Sequence, residues 1–309
     1  MNQNDTLKIL FVINPGSGAK SKKDWETETR AYFKSLKHTI EFFLLSGNDD
    51  ASSLQYWIDT YKPDRVVAVG GDGTVSLVAE QLLNSPVPMG ILPAGSANGM
   101  AKELALPETV DGAMNVILNG EIRSTDLIRI NDKYVCLHLS DLGVNAQLVK
   151  YFDEGNLRGK LGYAKLVLKV LVNKQKMHVT IKTDKEEIRS HAFMVVLANA
   201  SKYGTGALIN PEGNLHDGKF EIVVVRRLAF WSVIKIFLQF KKFNPKKVEL
   251  FQATSATIET TKKIHFQVDG EYIGKINRVT ATILPSQLNL LLPAKDKKDN
   301  ISIENVSTG

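Results

Sequence analysis

Three glycine-rich turns, each between a β-branched run and a helical stretch, constrain the fold of this chain most. The turns are Asn14–Gly18, Gly70–Thr74 and Pro93–Asn98. Short apolar runs that alternate with helical stretches are typical of a doubly wound α/β domain with a parallel sheet. We therefore predict such a domain over residues 1–127, with all three turns at the carboxyl edge of the sheet, where ligands bind.

The same alternation predicts the individual elements of this domain. Apolar β-branched runs predict strands at Leu7–Ile13, Thr39–Leu45, Arg65–Val69 and Val87–Leu92. Helical stretches are expected at Lys22–Ser35, Asp50–Tyr61, Val75–Asn84, Ala97–Leu104 and Val110–Asn119. Each strand is followed by a helix, so the strands are expected to be parallel.

The sequence changes character after Asp126. Runs such as His178–Lys182 and Ala256–Thr260 alternate polar and apolar residues, with turn residues between the runs. This pattern predicts an antiparallel β-sandwich over residues 128–283, interrupted by helices near Gly162–Asn173 and Ala229–Phe243. The polar residues 294–309 are expected to form a mobile tail.

The composition indicates in which cellular compartment the protein functions and which kinds of partner it binds. The chain has 309 residues, enough for two ordinary domains, and one cysteine, Cys136. A single cysteine excludes an internal disulfide framework and a zinc site built from several cysteines, which favours a cytoplasmic protein. The longest apolar run, Leu228–Phe240, is too short to span a bilayer and is interrupted by Lys235. A net charge of +6 favours anionic partners.

The three turns together predict a site for a polyphosphate. Glycines allow the backbone to approach a ligand closely, and the free N–H groups at the start of each following helix favour an anion. A single glycine-rich turn is more often only a tight loop, but three of them on successive units favour a nucleotide site. The sequence completes none of the Walker, G-x-G-x-x-G, G-x-S-x-G and H-E-x-x-H patterns.

Asp72 distinguishes the second turn. A carboxylate beside a phosphate site is repulsive unless a metal ion lies between them, and magnesium binds through one or two carboxylates and substrate phosphates. The residue therefore predicts magnesium and ATP. Thr74 is available to cap a helix that begins at Val75, which leaves Asp72 facing solvent as a metal ligand. A role for Asp72 as a helix cap is the alternative.

On these motifs the chain resembles the diacylglycerol kinase catalytic-domain family, specifically bacterial lipid kinases that are also similar to sphingosine kinases. The matching residues are Asn14–Gly18, Gly70–Thr74, Leu92–Asn98, Asp126, Gly204–Gly206, Asp217–Gly218 and Asp269–Glu271. The resemblance covers roughly residues 8–293. It implies an ATP-dependent lipid kinase with an NAD kinase-like fold, in which residues 284–293 return to the first domain.

The resemblance also implies roles for individual residues. The ATP site would comprise Asn14, Pro15, Gly16, Ser17, Gly18, Lys20, Ser46, Gly70, Gly71, Asp72, Gly73, Thr74, Ser96 and Asn98. Asp72 and Asp126 would hold magnesium through water, and Glu271 would be the general base. Asp217 would form a second, structural metal site with the carbonyls of Asn214 and Lys219.

Two departures from the family pattern affect these expectations. Many bacterial relatives have an aspartate after the asparagine of the third turn, whereas this chain has Gly99, so a thinner metal network or a weaker enzyme is expected. Some relatives have a lysine directly after the first turn, but here Ala19 precedes Lys20. Lys20 is still expected to reach the phosphates.

The expected partners are a membrane lipid and an anionic membrane surface, and nucleic acid is not expected. The apolar segment Ala229–Phe243 is flanked by Arg226, Arg227, Lys241, Lys242, Lys246 and Lys247. Such a segment suits peripheral contact with an acidic bilayer, although a helix buried against the sheet is the alternative. Diacylglycerol is the first expected acceptor and a sphingoid or other long-chain lipid alcohol the second. A homodimer stays open.

Two other functions remain open at this point. A kinase with a soluble acceptor, of the NAD kinase type, shares the Gly70–Thr74 element, but the Asn14–Gly18 opening and the separate Asp269–Glu271 element disfavour it. The second alternative is a nucleotide or lipid sensor without catalytic activity, and Gly99 motivates this interpretation.

Overall fold

The computed structural model describes residues 6–17, 22–154, 175–202, 208–226 and 248–294. The first domain contains β1 (Lys8–Ile13), α1 (Lys22–Phe33), β2 (Thr39–Leu44), α2 (Asp50–Tyr61), β3 (Arg65–Gly70), α3 (Asp72–Gln81), β4 (Met89–Pro93), α4 (Gly99–Glu103) and α5 (Val110–Asn119). The described part of the chain that follows contains β5 (Glu121–Ile130), β6 (Tyr134–Cys136), β7 (Leu139–Gly143), α6 (Val144–Glu154), β8 (Met177–Thr183), β9 (Glu187–Ala192), β10 (Met194–Ala198), β11 (Phe220–Val225), β12 (Val248–Ala253), β13 (Ser255–Val268) and β14 (Glu271–Leu292).

The first four strands form a parallel sheet in the order β4-β3-β1-β2. All six residues of β3 and the last five of β1 are buried, as expected for central strands that helices cover on both faces. Val75 and Val78 of α3 pack on one face, and Trp25 of α1 packs on the other. These two apolar layers fix the carboxyl ends of β1, β2 and β3 side by side.

The second domain is an antiparallel β-sandwich. Its strands follow the order β12-β11-β10-β7-β13, while β8 and β9 extend from the other side of β13 and β6 pairs with β5. The main core of this domain contains Ile128, Val195, Phe220, Ile258 and Phe266. The alternation that predicted antiparallel strands is visible in β8, where buried Met177, Val179 and Ile181 alternate with more exposed residues.

The long strand β14 connects the two domains. Its first part forms a hairpin with β13, and its last part is antiparallel to β5 and pairs with β4 through Leu290 and Met89. The strand bends near Ser286, which has a φ of 54°. Residues near the end of β14, such as Leu290, belong to the core of the first domain, so the chain crosses from the sandwich back to the parallel sheet.

The predicted fold class, an α/β domain followed by an antiparallel β-sandwich, is confirmed. The domain boundaries at residues 127 and 283 stay predictions, and β5 and β14 run across them. The predicted helices at 162–173 and 229–243 and residues 295–309 of the predicted tail lie outside the described residues. Among the helices that the structure describes, none has the length and apolarity needed to cross a membrane.

Candidate active site

A cavity of about 630 Å³ lies at the carboxyl edge of the parallel sheet. Residues from the ends of β1, β2 and β3 line it together with one residue of the second domain. The lining residues are Asn14, Pro15, Gly16, Ser17, Leu45, Ser46, Gly47, Asp50, Gly71, Gly73, Thr74, Leu77 and Glu271. Eight of the predicted nucleotide-site residues are thus brought together, and Gly18 and Lys20 lie outside the described residues. The predicted residues Gly70, Asp72, Ser96 and Asn98 do not line this cavity.

The first turn is held by its own asparagine. Asn14 Oδ1 accepts a hydrogen bond from the Gly16 N–H at 2.9 Å, and the Asn14 carbonyl accepts one from the Ser17 N–H at 3.1 Å. An asparagine that hydrogen-bonds the backbone two residues on is a common way to close such a turn. The turn follows β1 directly and forms one wall of the cavity.

The second turn begins α3 earlier than the sequence predicted. We expected a helix that starts at Val75 with Thr74 as its cap, whereas α3 starts at Asp72 and its N-cap is Gly71, which has no side-chain cap bond. Thr74 Oγ1 is buried and has no hydrogen-bond partner among the described residues. A Cβ on Gly70 would lie 2.2 Å from this oxygen, so only glycine fits there.

The third turn packs against the second and does not line the cavity. A Cβ on Gly95 would lie 2.4 Å from the Cα of Gly71, so the two turns touch through their backbones. Asn98 closes the third turn, because its side chain accepts from the Gly95 N–H and donates to the Gly95 carbonyl, both at 2.9 Å. Ser96 is exposed. The third turn therefore supports the second.

Asp72 is less open to solvent than the sequence predicts, because two backbone N–H groups hold its carboxylate. The residue is half-buried, and its carboxylate accepts hydrogen bonds from the Gly99 N–H at 2.8 Å and the Met100 N–H at 3.0 Å. Asp72 is the first residue of α3, but its side chain caps a different helix, α4, which follows the third turn. Its predicted role as a magnesium ligand stays a prediction.

The other predicted metal ligands lie near the junction of the two domains. Asp126 is buried, and its two carboxylate oxygens accept from the Gly218 N–H at 2.6 Å and the Ser286 N–H at 2.8 Å. Asp217 Oδ1 accepts from the Lys219 N–H at 3.1 Å, and Asn214 Oδ1 accepts from the His216 N–H, also at 3.1 Å. In the described part of the chain no group of three or more His, Cys, Asp and Glu residues could hold a metal, and these metal roles stay predictions.

Glu271 reaches the cavity from the second domain. It follows a tight turn in which Asp269 and Gly270 have φ values of 47° and 88°, and the residue is exposed. A Cβ placed on Gly73 would lie 3.1 Å from Glu271 Oε1. A carboxylate therefore stands against the start of α3, in a cavity whose walls include the first and second glycine-rich turns.

Sequence reasoning missed part of the loop after β2. Asp50, at the start of α2, accepts hydrogen bonds from the backbone N–H groups of Ser46 and Gly47, each at 2.8 Å. Partial burial acts to raise the pKa of Asp50, but these hydrogen bonds outweigh it and hold the pKa below its usual value. The Ser-Gly-Asn-Asp-Asp run of residues 46–50 is the signal that marks this loop, because Asp and Ser side chains often bond nearby backbone.

The fold, an α/β domain followed by an antiparallel β-sandwich, is shared with solved kinase structures. A solved diacylglycerol kinase of Bacillus anthracis strain Sterne superposes with a TM-score of 0.70 at 19% identity and covers 92% of this chain and 96% of its own. An NAD kinase of Archaeoglobus fulgidus in complex with ATP has a TM-score of 0.55 at 13% identity and covers 96% and 98% of the two chains. These likenesses show the shared fold.

Sequence comparisons give the family. Residues 8–130 match the diacylglycerol kinase catalytic domain, and residues 140–292 match the YegS C-terminal NAD kinase beta sandwich-like domain. A Staphylococcus carnosus protein that bears the name "Putative lipid kinase" is 30% identical over 67% of this chain and 70% of its own length. The diacylglycerol kinase of Bacillus subtilis is 22% identical over 87% and 91%. The chain belongs to the diacylglycerol kinase catalytic-domain family, which is a family of kinases.

Proposed function

We propose that the protein is an ATP-dependent lipid kinase that transfers the terminal phosphoryl group of ATP to the hydroxyl of a membrane lipid, with diacylglycerol as the first acceptor to test. The observation that carries this proposal is the position of Glu271 Oε1, 3.1 Å from where a Cβ on Gly73 would lie. A carboxylate of the second domain thus meets the glycine turns of the first domain in one cavity. Phosphoryl transfer needs these two parts together.

The residues that line the cavity fit a nucleotide. Its volume of about 630 Å³ lies within the usual range for small-molecule sites, about 300–1,000 Å³. Gly71, the N-cap of α3, makes no side-chain cap bond, and the N–H groups and dipole at the start of a helix favour negative charge. Gly16, Gly71 and Gly73 allow phosphates to approach the backbone. The named ligand of the Archaeoglobus fulgidus relative, ATP, agrees with this proposal.

Magnesium would enter with the nucleotide. When bound, it would neutralise charge on the phosphate groups and help to orient them. Asp72 is the proposed ligand from this chain, acting through water. Its two oxygens accept one backbone hydrogen bond each, and a carboxylate oxygen with one such bond retains a lone pair for a water molecule. Asp126 is proposed to act in the same way.

Glu271 is proposed as the general base. The glycine turns would hold the phosphates, and the exposed Glu271 carboxylate would accept the proton of the lipid hydroxyl as that oxygen attacks. The acceptor hydroxyl would have to lie within hydrogen-bond reach of Glu271 and in line with the phosphoryl group. The protein therefore contributes position and one proton acceptor, which is what phosphoryl transfer requires of it.

The lipid acceptor and the membrane surface are the finer part of the proposal. Relatives that bear the names diacylglycerol kinase and lipid kinase support a lipid, as does the net charge of +6, which favours an anionic surface. Peripheral contact of a cytoplasmic protein is proposed through the basic segment around residues 226–247. That segment, apart from Arg226, lies outside the described residues.

A transfer assay tests the proposal. Radiolabelled ATP and magnesium are supplied over mixed micelles that contain diacylglycerol, a sphingoid base or another long-chain alcohol, with NAD in a parallel aqueous reaction. We expect label in one lipid and none in NAD, and loss of that label with Glu271→Gln. Label in NAD alone would support the soluble-acceptor alternative, and ATP binding without any transfer would support a sensor.

A further inference from the structure

The side chain of Asp269, two residues before Glu271, joins the turn that carries Glu271 to a neighbouring segment of the second domain. Its Oδ2 accepts a hydrogen bond from the Leu137 N–H at 2.7 Å. Its Oδ1 accepts from the His138 N–H at 2.9 Å and the Leu139 N–H at 3.1 Å. One carboxylate thus holds three consecutive backbone N–H groups, and hydrogen bonds to an ionised acceptor are stronger than neutral ones.

The same carboxylate reaches the first domain. Ser76 Oγ donates to Asp269 Oδ2 at 3.2 Å. Ser76 lies on α3, three residues after Gly73, so a rigid helical turn connects this contact to the glycine turn of the cavity. Asp269 is half-buried and does not line the cavity. Its contacts are therefore with the framework around the site.

The backbone of the turn is fixed as well. The Asp269 N–H donates to the Leu139 carbonyl at 3.0 Å, and the Gly270 N–H donates to Gln267 Oε1 at 2.7 Å. Gln267 is buried and donates in turn to Asp141 Oδ2 at 2.6 Å. Asp269 has a φ of 47°, a conformation that aspartate and asparagine tolerate better than most residues.

From these contacts we infer that Asp269 is a positioning residue that sets the distance between the Glu271 carboxylate and the second glycine turn. The inference rests on the proposed function, in which Glu271 is the base. Asp269 binds the 137–139 backbone and α3 with one carboxylate, and Glu271 follows after a two-residue turn. A change in the Asp269 contacts would therefore move Glu271 relative to Gly73 while the first and second glycine-rich turns stay in place.

Asp269→Asn is the informative substitution. Asparagine keeps the size and the tolerance of positive φ, but in either orientation its NH₂ group faces at least one backbone N–H that now loses its acceptor. We expect kcat to fall about hundredfold, because a displacement of about 1 Å is enough for such a loss. The dissociation constant for ATP should change little, and the pH profile of kcat should keep its shape because Glu271 remains the base.

A double-mutant cycle of Asp269→Asn with Glu271→Gln tests the inference. If Asp269 acts through Glu271, adding Asp269→Asn to Glu271→Gln should lower kcat by less than about twofold. Losses that multiply, or a loss of ATP binding in proportion to rate, would overturn the inference. Asp184→Asn is the matched control, because Asp184 also accepts a backbone N–H, that of Thr254 at 3.1 Å. Asp184 lies between β8 and β9 and does not line the cavity, so the kcat of this variant should equal that of the wild type.

Ser76→Ala provides a second cycle that removes only the contact with α3. We expect kcat to fall about two- to tenfold, which corresponds to the free energy of one hydrogen bond. This loss in kcat should disappear in the Glu271→Gln background. If Asp269→Asn does not fold, the cycle of Ser76→Ala with Glu271→Gln tests the inference in its place. Losses in kcat that multiply in that cycle would overturn the inference. A normal kcat for Glu271→Gln would contradict both the proposed general base and the positioning role of Asp269. If Glu271→Gln is inactive but the losses in kcat multiply in the cycles, only the positioning role of Asp269 is contradicted.

Discussion

Single carboxylates in this molecule hold backbone segments together around the cavity. Asp72 accepts the N–H groups of Gly99 and Met100, and Asp50 accepts those of Ser46 and Gly47. Carboxylates at the starts of helices and loops are favoured there because they satisfy free N–H groups and the helix dipole. The residues that shape the site are therefore partly structural, and their substitution should affect both stability and activity.

Asp72→Asn tests this double role. The substitution leaves one of the two N–H groups of Gly99 and Met100 facing an NH₂ group, so we expect the free energy of unfolding to fall by about 1–2 kcal/mol. We also expect turnover to fall by at least about a hundredfold, as for loss of a group that stabilises transition-state charge. Urea unfolding and the lipid transfer assay measure the two effects.

The matched control is Thr109→Ala, which removes a cap from α5, where the Thr109 side chain accepts the Gly112 N–H. It should cost about 1 kcal/mol of stability with unchanged turnover. Wild-type turnover in Asp72→Asn would show that the carboxylate serves the fold alone.

At the scale of elements, periodicity predicted the helices and strands of the first domain well, and local hydrogen bonding explains the misses. The bounds predicted for α2 and α5 agree with the structure. Helix α3 begins three residues before the predicted Val75, because Gly73, whose residue type favours a turn, is helical in the structure. That Asp72 caps α4 could not be predicted, because the contact depends on the packing of two separate turns.

Glu221 of strand β11 predicts how the stability of the protein depends on pH. The side chain is buried and accepts hydrogen bonds from Asn210 Nδ2 at 2.6 Å and Gln252 Nε2 at 3.2 Å. Burial raises the pKa of Glu221 above its ordinary value of 4.5 and outweighs these bonds. Between the ordinary and the raised pKa, the folded protein holds more protons than the unfolded chain, so this group makes stability fall as pH rises.

Glu221→Gln should remove this contribution. Relative to the wild type, the variant should gain stability as pH rises above 4.5 and level off above the raised pKa, while any lost hydrogen bond adds a constant offset. Urea unfolding at a series of pH values measures the difference. A difference that does not vary with pH would contradict the assignment.

The basic segment around residues 226–247 gives a prediction from sequence. If it contacts membranes, replacing Lys241, Lys242, Lys246 and Lys247 with Gln should weaken binding to vesicles of phosphatidylcholine and anionic phosphatidylserine, and binding by the wild type should fall with salt. Co-sedimentation with such vesicles measures both. The charge-matched control replaces the exposed Lys182, Lys185, Lys262 and Lys263 and should bind like the wild type. Equal binding by both variants would contradict the assignment.

At the scale of the whole molecule, the site depends on how β14 joins the two domains. Its hairpin with β13 carries Glu271 to the cavity, and its last part returns to the parallel sheet beside β4. Asp126 holds the bend of this strand by accepting the Ser286 N–H. Helix α4 adds a second connection, because Glu103 accepts the Ser201 N–H at 3.0 Å.

Sequence motifs predicted Glu271 and the glycine turns as parts of one site only through the family resemblance. About two hundred residues separate Gly73 from Glu271, and no local pattern can state that they meet, because their approach depends on the course of β14 and on contacts such as that of Asp269 with Ser76. The metal-ligand roles of Asp72 and Asp126 stay predictions for a similar reason, since motifs do not reveal which way a carboxylate turns.

The measurement that tests the central claim most directly is the kcat of Glu271→Gln on diacylglycerol micelles, paired with calorimetric ATP binding. Glutamine keeps the size of the side chain but cannot accept the proton, so kcat should fall about a hundredfold to ten-thousandfold with ATP affinity nearly unchanged. Glu271→Asp should recover only part of the rate, because the shorter side chain displaces the carboxylate. A near-normal kcat for Glu271→Gln, or a loss of ATP binding in proportion to rate, would contradict the account.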